Sequence, residues 1–337
     1  DALRFALVAQ ASQGSDVKFA RSRVEGYRNF ATKLWNAARF AEMNECRRAA
    51  DFDPAAVKTT LAKWIVGETA KAAADIEAAI QAYRYNDAAG AAYRFVWNIF
   101  CDWFLEFAKP IFTGTDEAAK AEVRAATAWT LDQILKLLHP FMPFITEELW
   151  TVTGETGPVR EGVLALSAWP KFEGLVDEAA EAEIGWLVDA ITAIRSVRAE
   201  MNVAPGNQIP LVLLGASEKT VAITERYGDL LNRLARLSGF SVGSEAPAGS
   251  VQIVVRGETL ALPMAGLIDV AAERTRLGKA LKEAEGDIAR CDGKLNNANF
   301  MARAAEDVIA EQHEKRAEAV ERKASIEAAL ARLAAIG

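Results

Sequence analysis

From position 21 to about 150, apolar residues recur at steps of three and four with short breakers between the runs, a pattern that predicts a helix bundle. Tyr27, Phe30, Leu34, Ala37 and Ala38 mark one face of a first helix, while Arg28, Lys33, Asn36 and Arg39 point elsewhere, so this helix has a dry side and a basic polar side. Asp53-Pro54 reads as an N-cap followed by proline at the first helical position, launching a long helix through Trp64, Ile65 and Ile76 to about Tyr83. Asn86 or Asp87 caps the next helix, whose stripe of Tyr93, Val96, Trp97, Phe100, Phe104 and Phe107 is expected in the core, and Lys109-Pro110 is expected to stop it. After a turn at Thr113-Gly114-Thr115-Asp116, another helix runs over about 117–138.

The texture changes over 153–177, where glycine, proline and short apolar runs read as a loop-rich connection. A helix over about 179–199 is ended by Ala204-Pro205-Gly206. Strand candidates at 209–214, 251–255 and 259–262, with a helix over about 218–237, make a small α/β module. Leu267, Val270, Arg274, Leu277, Leu281, Ala284, Ile288, Cys291 and Leu295 then keep the a/d spacing of a coiled coil. Asn296-Asn297-Ala298-Asn299 breaks it, and a second helix carries Ile309, Ala319, Ile326, Leu330 and Leu333, with Gln312, Arg316 and Lys323 interrupting the seam. Two such helices read as an antiparallel hairpin with arms of roughly 40 Å. The fold class is mainly α: a helix bundle over 21–177, a small α/β module over 178–265 and a coiled-coil hairpin over 266–337.

Composition narrows the function classes. The chain has 337 residues, 51% hydrophobic and 25% charged, enough for two or three domains with a real core. No apolar run approaches the roughly 18 to 20 residues of a membrane span, so no membrane partner is expected. The chain opens DALRFALVAQ, without an initiator Met or a targeting pattern, and is expected to be a cut from a longer protein. Cys46, Cys101 and Cys291 lie far apart in helical stretches, which suggests neither a CxxC metal site nor a disulfide framework and fits a reduced, cytoplasmic protein. The net charge of −7 does not exclude a nucleic-acid partner, because only a local basic face matters within a Debye length of about 8 to 10 Å.

Catalytic chemistry is hard to find. No GxGxxG, P-loop or HExxH string occurs, and the only histidines, His139 and His313, lie in an apolar stretch and among hairpin charges, where structural or solvated roles are expected. Binding chemistry is easier to place. Arg21, Arg23, Arg28, Asn29, Lys33, Asn36, Arg39 and Phe40 combine phosphate partners, base-edge donors and a stacking platform, the inventory for reading splayed-out RNA bases. A charged helix face that is merely solvated is the bland alternative. On the hairpin, Arg274, Arg276, Lys279, Lys282 and Lys294 supply basic side chains.

Ordered motifs carry a resemblance. Arg23-Val24-Glu25-Gly26-Tyr27-Arg28-Asn29-Phe30 with Lys33-Leu34-Trp35-Asn36-Ala37-Ala38-Arg39-Phe40 resembles the start of the anticodon-binding helical domain of valyl-tRNA synthetases. Tyr93-Arg94-Phe95-Val96-Trp97 with Cys101-Asp102-Trp103 looks like that domain's central helix. The run from His139-Pro140-Phe141-Met142-Pro143-Phe144 to Ile145-Thr146-Glu147-Glu148-Leu149-Trp150 looks like its closing segment, shared with the isoleucine, leucine and methionine enzymes. The valine assignment rests on Ile194-Arg195-Ser196-Val197-Arg198-Ala199-Glu200-Met201-Asn202-Val203 followed by Pro205, and on Leu267-Ile268-Asp269-Val270 opening the hairpin. Ala204, where a second proline is common, and the polar seam residues depart from the pattern.

The resemblance implies a fragment that binds tRNA(Val) through its anticodon arm and elbow, with Arg274, Arg276, Lys279, Lys282 and Lys294 as the candidate contacts of the hairpin arm, acts as a monomer and is not itself catalytic. Ala2-Leu3-Arg4-Phe5 resembles the stretch after the lysine loop of the ATP site, so 1–20 is expected to be a remnant of the connection from the catalytic domain. No cofactor is expected in this fragment; ATP and magnesium would serve the full-length parent. Two alternatives stay open: the equivalent portion of an isoleucyl- or leucyl-tRNA synthetase, and a non-enzymatic helical and coiled-coil interaction module.

Overall fold

The computed structural model describes residues 1–11, 16–17, 20–160, 162–267, 269–304 and 306–336. Residues 12–15 and 18–19 of the expected connection, Ile268 of the hairpin-opening motif and the final Gly337 lie outside the described residues. Two compact units, Asp1–Gly185 and Trp186–Gly337, divide the chain, and the division falls within one helix, Glu178–Glu200.

The first unit is the expected bundle. Its helices are α1 (Ala2–Gln10), α2 (Arg21–Met43), α3 (Thr60–Gln81), α4 (Tyr85–Tyr93), α5 (Leu105–Thr113), α6 (Glu117–Leu138) and α7 (Pro143–Gly154), with α8 (Glu178–Glu200) entering at its end. α1 belongs to the core of this unit: Phe5 is fully buried, its ring 5.5 Å from that of Phe30 and 6.1 Å from that of Phe141. The Asp1 carboxylate accepts hydrogen bonds from the Phe144 and Ile145 N–H groups at 3.1 and 2.7 Å, capping α7.

Several element boundaries differ from expectation, each for a local reason. Asp53 does cap a turn, accepting from the Ala55 N–H at 2.9 Å, but that turn is only the 3₁₀ segment Pro54–Ala56. α3 starts afresh after Thr59, because the Glu122 carboxylate on α6 takes the Lys58 and Thr59 N–H groups at 2.8 and 2.7 Å and holds the chain out of helical continuity. Neither Asn86 nor Asp87 is the cap of α4. Tyr83 turns the chain with φ of 58°, and Asp87 in the first turn pairs with Arg84, the N-cap residue, at 2.9 Å.

α4 continues into a π-helical stretch, Arg94–Phe104, and then α5. The wider turn stacks Tyr93 on Trp97 and Phe100 on Phe104 at ring separations of 5.6 Å each. Pro110 does not stop this rod but sits inside α5. It is tolerated close to the helix end, where the Thr113 hydroxyl reaches back to the Lys109 carbonyl at 3.2 Å.

The second unit holds the α/β module and the hairpin. β1 (Ile209–Leu214), β2 (Leu237–Gly243), β3 (Ser250–Val255) and β4 (Glu258–Pro263) form one sheet in the order β2-β1-β4-β3. β1 and β2 are parallel and the other pairs antiparallel. The expected single helix over 218–237 is two, α9 (Glu218–Arg226) and α10 (Gly228–Ala235), and β2 was not foreseen: Arg236 at φ of 56° ends α10 and turns the chain into a glycine- and serine-bearing strand. Arg256 and Gly257, at φ of 49° and 87°, make the two-residue turn of the β3–β4 hairpin, the conformation that follows strand twist.

α11 (Val270–Leu295) and α13 (Glu306–Ile336) pack along each other, with the short α12 (Ala298–Arg303) between them in sequence. Asp292 faces Arg316 and Glu285 faces Lys323, so positions descend on one helix as they rise on the other and the hairpin is antiparallel. The seam departs from expectation at its root. Glu273 is buried in place of Arg274, which is exposed. Gln312 is buried, while Arg316 and Lys323 are half-buried and meet carboxylates across the helix pair.

Asp177 caps α8 through the Ala180 N–H at 2.9 Å and pairs with Lys63 at 3.0 Å. These bonds hold its carboxyl below the ordinary carboxylate range, so its stabilising effect is present at neutral pH and fades as pH falls through that range. Asp177→Ala is expected to lower stability by about 1 kcal/mol at neutral pH, and urea melts repeated near about pH 3 should show a smaller difference.

Candidate nucleic-acid interface

α2 carries the candidate contacts because its apolar positions fall on one side. Phe30, Leu34, Ala37, Ala38 and Ala41 are buried, while Arg21, Arg23, Arg28, Asn29, Asn36 and Arg39 are exposed. Arg21, Arg28 and Arg39 are seven and eleven residues apart, close to whole numbers of turns, and line up over about 27 Å. Asn29 and Asn36 lie beside that line. Arg23 projects from another side of the first turn, and Arg21 is also paired with Glu25 at 3.3 Å.

Two candidates are occupied within the bundle. The Lys33 ammonium pairs with Asp102 and sits 3.9 Å from the centre of the Trp97 ring, which satisfies it internally. Phe40 is half-buried, 6.1 Å from the Phe112 ring, with the Lys109 ammonium 5.7 Å from its centre. It is a packing residue first, and only its uncovered part is open to a base.

The arginine line ends at a cleft of roughly 440 Å³. Trp35, Arg39 and Glu42 of α2 line it together with Arg47, Arg48, Asp132 of α6, Thr153 of α7 and Glu155, and with the apolar Ala38, Leu131 and Leu149. Behind it, Arg160 grips Asp132 through both terminal nitrogens at 3.2 and 2.8 Å and Thr153 at 2.8 Å, with its guanidinium carbon 3.4 Å from the centre of the Trp150 ring. The Arg48 Nε lies 3.9 Å from the same carboxylate, and Arg48 donates to the Thr156 carbonyl at 3.4 Å and to that of Pro158. Burial, partly offset by the Arg160 bonds, raises the Asp132 carboxyl above its ordinary range. Burial also lowers Arg48 and Lys136 below theirs. This cluster gathers Arg48, Lys136 and Arg160 about one carboxylate, and residues so far apart in sequence gave no local signal of it.

The other titratable groups serve the fold. The His139 ring nitrogen Nδ1 is 2.8 Å from the Thr146 hydroxyl, and Glu147 accepts from the Leu164 and Ala165 N–H groups at 2.8 and 3.3 Å. The cysteines are free, and burial pushes the Cys46 and Cys101 thiols up to about 12. Arg195 and Arg198, both within the motif that carried the valine assignment, hold the second unit together. Arg195 donates to the Leu234 carbonyl at 2.8 Å, and buried Arg198 donates to the Asn207, Ala204 and Arg236 carbonyls at 2.8, 3.3 and 3.4 Å.

The hairpin candidates do not form one patch. Arg274, Arg276, Lys279, Lys282 and Lys294 are all exposed, but at 3.6 residues per turn only Arg276, Lys279 and Lys294 share a side. Arg276 is engaged by Glu273, with Nε at 3.0 and 2.9 Å from its two oxygens.

The sequence has no glycine-rich phosphate loop, and among the described residues no three His, Cys, Asp or Glu side chains converge to hold a metal ion. No helix of the described residues is long and apolar enough to cross a membrane.

A bundle of this make-up is the RNA-binding class of module found in aminoacyl-tRNA ligases: residues 62–213 match the family described as the anticodon-binding domain of tRNA ligase. Residues 269–334 match a second family, the valyl tRNA synthetase tRNA binding arm. Over 99% of its length the chain is 53% identical to a valine--tRNA ligase of Rhodopseudomonas palustris, of which it covers 38%. Over 100% of its length it is 53% identical to one of Caulobacter vibrioides, of which it covers 37%. The chain belongs to the valyl-tRNA synthetase family and corresponds to the C-terminal portion of its members. It thus spans well under half the length of these curated relatives. A solved leucyl-tRNA synthetase complex of Agrobacterium radiobacter aligns over 69% of this chain and 25% of that one, at 15% identity and a TM-score of 0.38, too loosely to carry an argument.

Proposed function

We propose that this chain is the tRNA-holding portion of a valine--tRNA ligase. Residues 21–177 hold the anticodon arm, the module over 178–265 positions the hairpin, and residues 266–337 lie against the tRNA elbow. Valine activation with ATP and magnesium, and its transfer to tRNA(Val), fall to the part of the enzyme that this chain does not span, working as a monomer in the cytoplasm. Contacts gathered at the anticodon and elbow orient the acceptor end for that chemistry.

The observation that carries the reading is the line of Arg21, Arg28 and Arg39 with Asn29 and Asn36 beside it, leading to a cleft large enough for one unstacked base. Arginines on such a line meet successive phosphates, amide side chains reach base edges, and Trp35 offers the cleft a stacking wall. The test is retention of tRNA(Val) by the 337-residue chain over a salt series, beside tRNA(Ile) as competitor. Tight binding at low salt that weakens steeply as salt rises is expected. Arg28→Gln with Arg39→Gln should weaken binding about ten-fold or more and flatten the salt dependence by about 0.7 to 0.9 for each lost contact. Preferential retention of tRNA(Ile) would reassign the specificity, and no retention at low salt would defeat the reading.

A further inference from the structure

Resting on that reading, we infer that the hairpin meets the RNA backbone with one particular flank, through a phosphate site built jointly by α11 and α13 around Asp287. The two flanks differ in how their charges are matched. On one, Arg316 faces Asp292 at 2.5 Å and Lys323 faces Glu285 at 3.1 Å, each cation answered by a carboxylate across the pair. Asp287 and Asp292 are five residues apart on α11, about 140° around the helix, so Asp287 belongs to the other flank.

There the matching is less complete. Arg290 of α11 and Arg322 of α13 both converge on the single carboxylate of Asp287. Lys294 and Lys315 border the same cleft of roughly 300 Å³, whose only other charged lining residue is Glu318. Four cations therefore stand against Asp287 and Glu318 in the cleft and Glu311 beside it, which pairs with Lys315 at 2.7 Å, so Lys294 is left with the surplus positive charge in a cleft built by both helices. Asp287 holds the two guanidinium groups in position without neutralising both, so an arriving phosphodiester meets donors already ordered. Guanidinium forks suit the tetrahedral oxygens, and the two lysines add charge from either side. The extended RNA backbone, with a phosphate at each nucleotide, is the ligand that fits a cleft open along a rod. Reading each helix alone did not bring out Arg290, Lys315 and Arg322, because their convergence depends on the antiparallel register.

The test compares two double variants of the 337-residue chain that lose the same charge. Lys294→Gln with Lys315→Gln removes cations from the cleft; Arg274→Gln with Lys282→Gln removes exposed cations pointing elsewhere. Neither pair reaches the buried seam, and unchanged helicity and melting confirm folding. The cleft variant is expected to bind tRNA(Val) about ten-fold more weakly, with the salt dependence reduced by about one to two in slope, while the second variant stays within about two-fold of the parent. Equal losses in both, or none in the cleft variant, overturn the inference. If the parent chain and the α2 variants behave as proposed above while the cleft variant is silent, only this inference falls. Failure of the parent chain to bind tRNA at all removes both. Saturable binding of inorganic phosphate by the parent chain, lost in the cleft variant without any change in tRNA affinity, would make this a small-anion site and overturn the RNA assignment.

Discussion

Asp132→Ala is expected to destabilise the first unit by about 3 to 5 kcal/mol, enough to remove much of the stability of an ordinary domain. The carboxylate is the shared partner of Arg160, which grips it at 3.2 and 2.8 Å, and of Arg48 at 3.9 Å. Their side chains are only 8% and 13% exposed, so both guanidinium groups are left largely shielded once the carboxylate is gone. Lys136, also partly buried, adds a third positive charge, and burial already lowers it and Arg48 below their ordinary ranges. The cost lies in the orphaned charges rather than in the value of the pair. Asp132→Leu combined with Arg160→Met should therefore recover much of the loss. Denaturant melts of Asp132→Ala, of Asp132→Leu and of the double variant measure this directly. A loss below about 1 kcal/mol for Asp132→Ala would mean that water reaches the cluster.

How far the chain could be read from its own sequence depends on where each determinant lies. α6 was placed well because its start is local: Asp116 accepts from the Ala118 and Ala119 N–H groups at 3.1 and 3.0 Å. The start of α3 was misplaced because the group that interrupts the helix, Glu122, is more than sixty residues away. β2 was invisible because Leu237–Gly243 contains two glycines and two serines and becomes a strand only by pairing in parallel with β1. The hairpin's register slipped by one residue at its root, where regular spacing favoured Arg274 and packing selected Glu273.

The candidate site divides in the same way. The basic face of α2 follows from helical periodicity alone, so Arg21, Arg28 and Arg39 could be placed together without coordinates. Whether a side chain on that helix is free could not be read. Lys33 is claimed by Asp102 and Trp97, and Phe40 by Phe112, all from the π-helical stretch or α5. The cleft behind Arg39 needs Arg48, Asp132 and Arg160 from three separate places in the chain.

Arg198 takes that distinction to the second unit. The motif it belongs to identifies the family, yet its guanidinium faces three backbone carbonyls and no RNA contact is needed to explain it. It joins α8 to the Ala204–Asn207 turn before β1 and to the Arg236 carbonyl at the end of α10, which also accepts the Ile209 N–H at 3.2 Å. One side chain thus fixes where the parallel β1–β2 pair begins. Arg198→Ala strands carbonyls that are shielded from water and is expected to cost about 3 kcal/mol. Arg198→Lys should recover only part of this, since one ammonium cannot reproduce the spread of the fork. The loss should appear as an earlier melting step for the second unit while the first keeps its own transition, so scanning calorimetry rather than a single midpoint is the measurement. The hairpin shares this fate, because Arg332 near the end of α13 pairs with Glu200 of α8, two residues beyond Arg198. In tRNA binding the alanine variant should therefore resemble removal of the arm, retaining the affinity that depends on α2; a normal arm contribution with a destabilised module would show that the hairpin is positioned by its own packing alone.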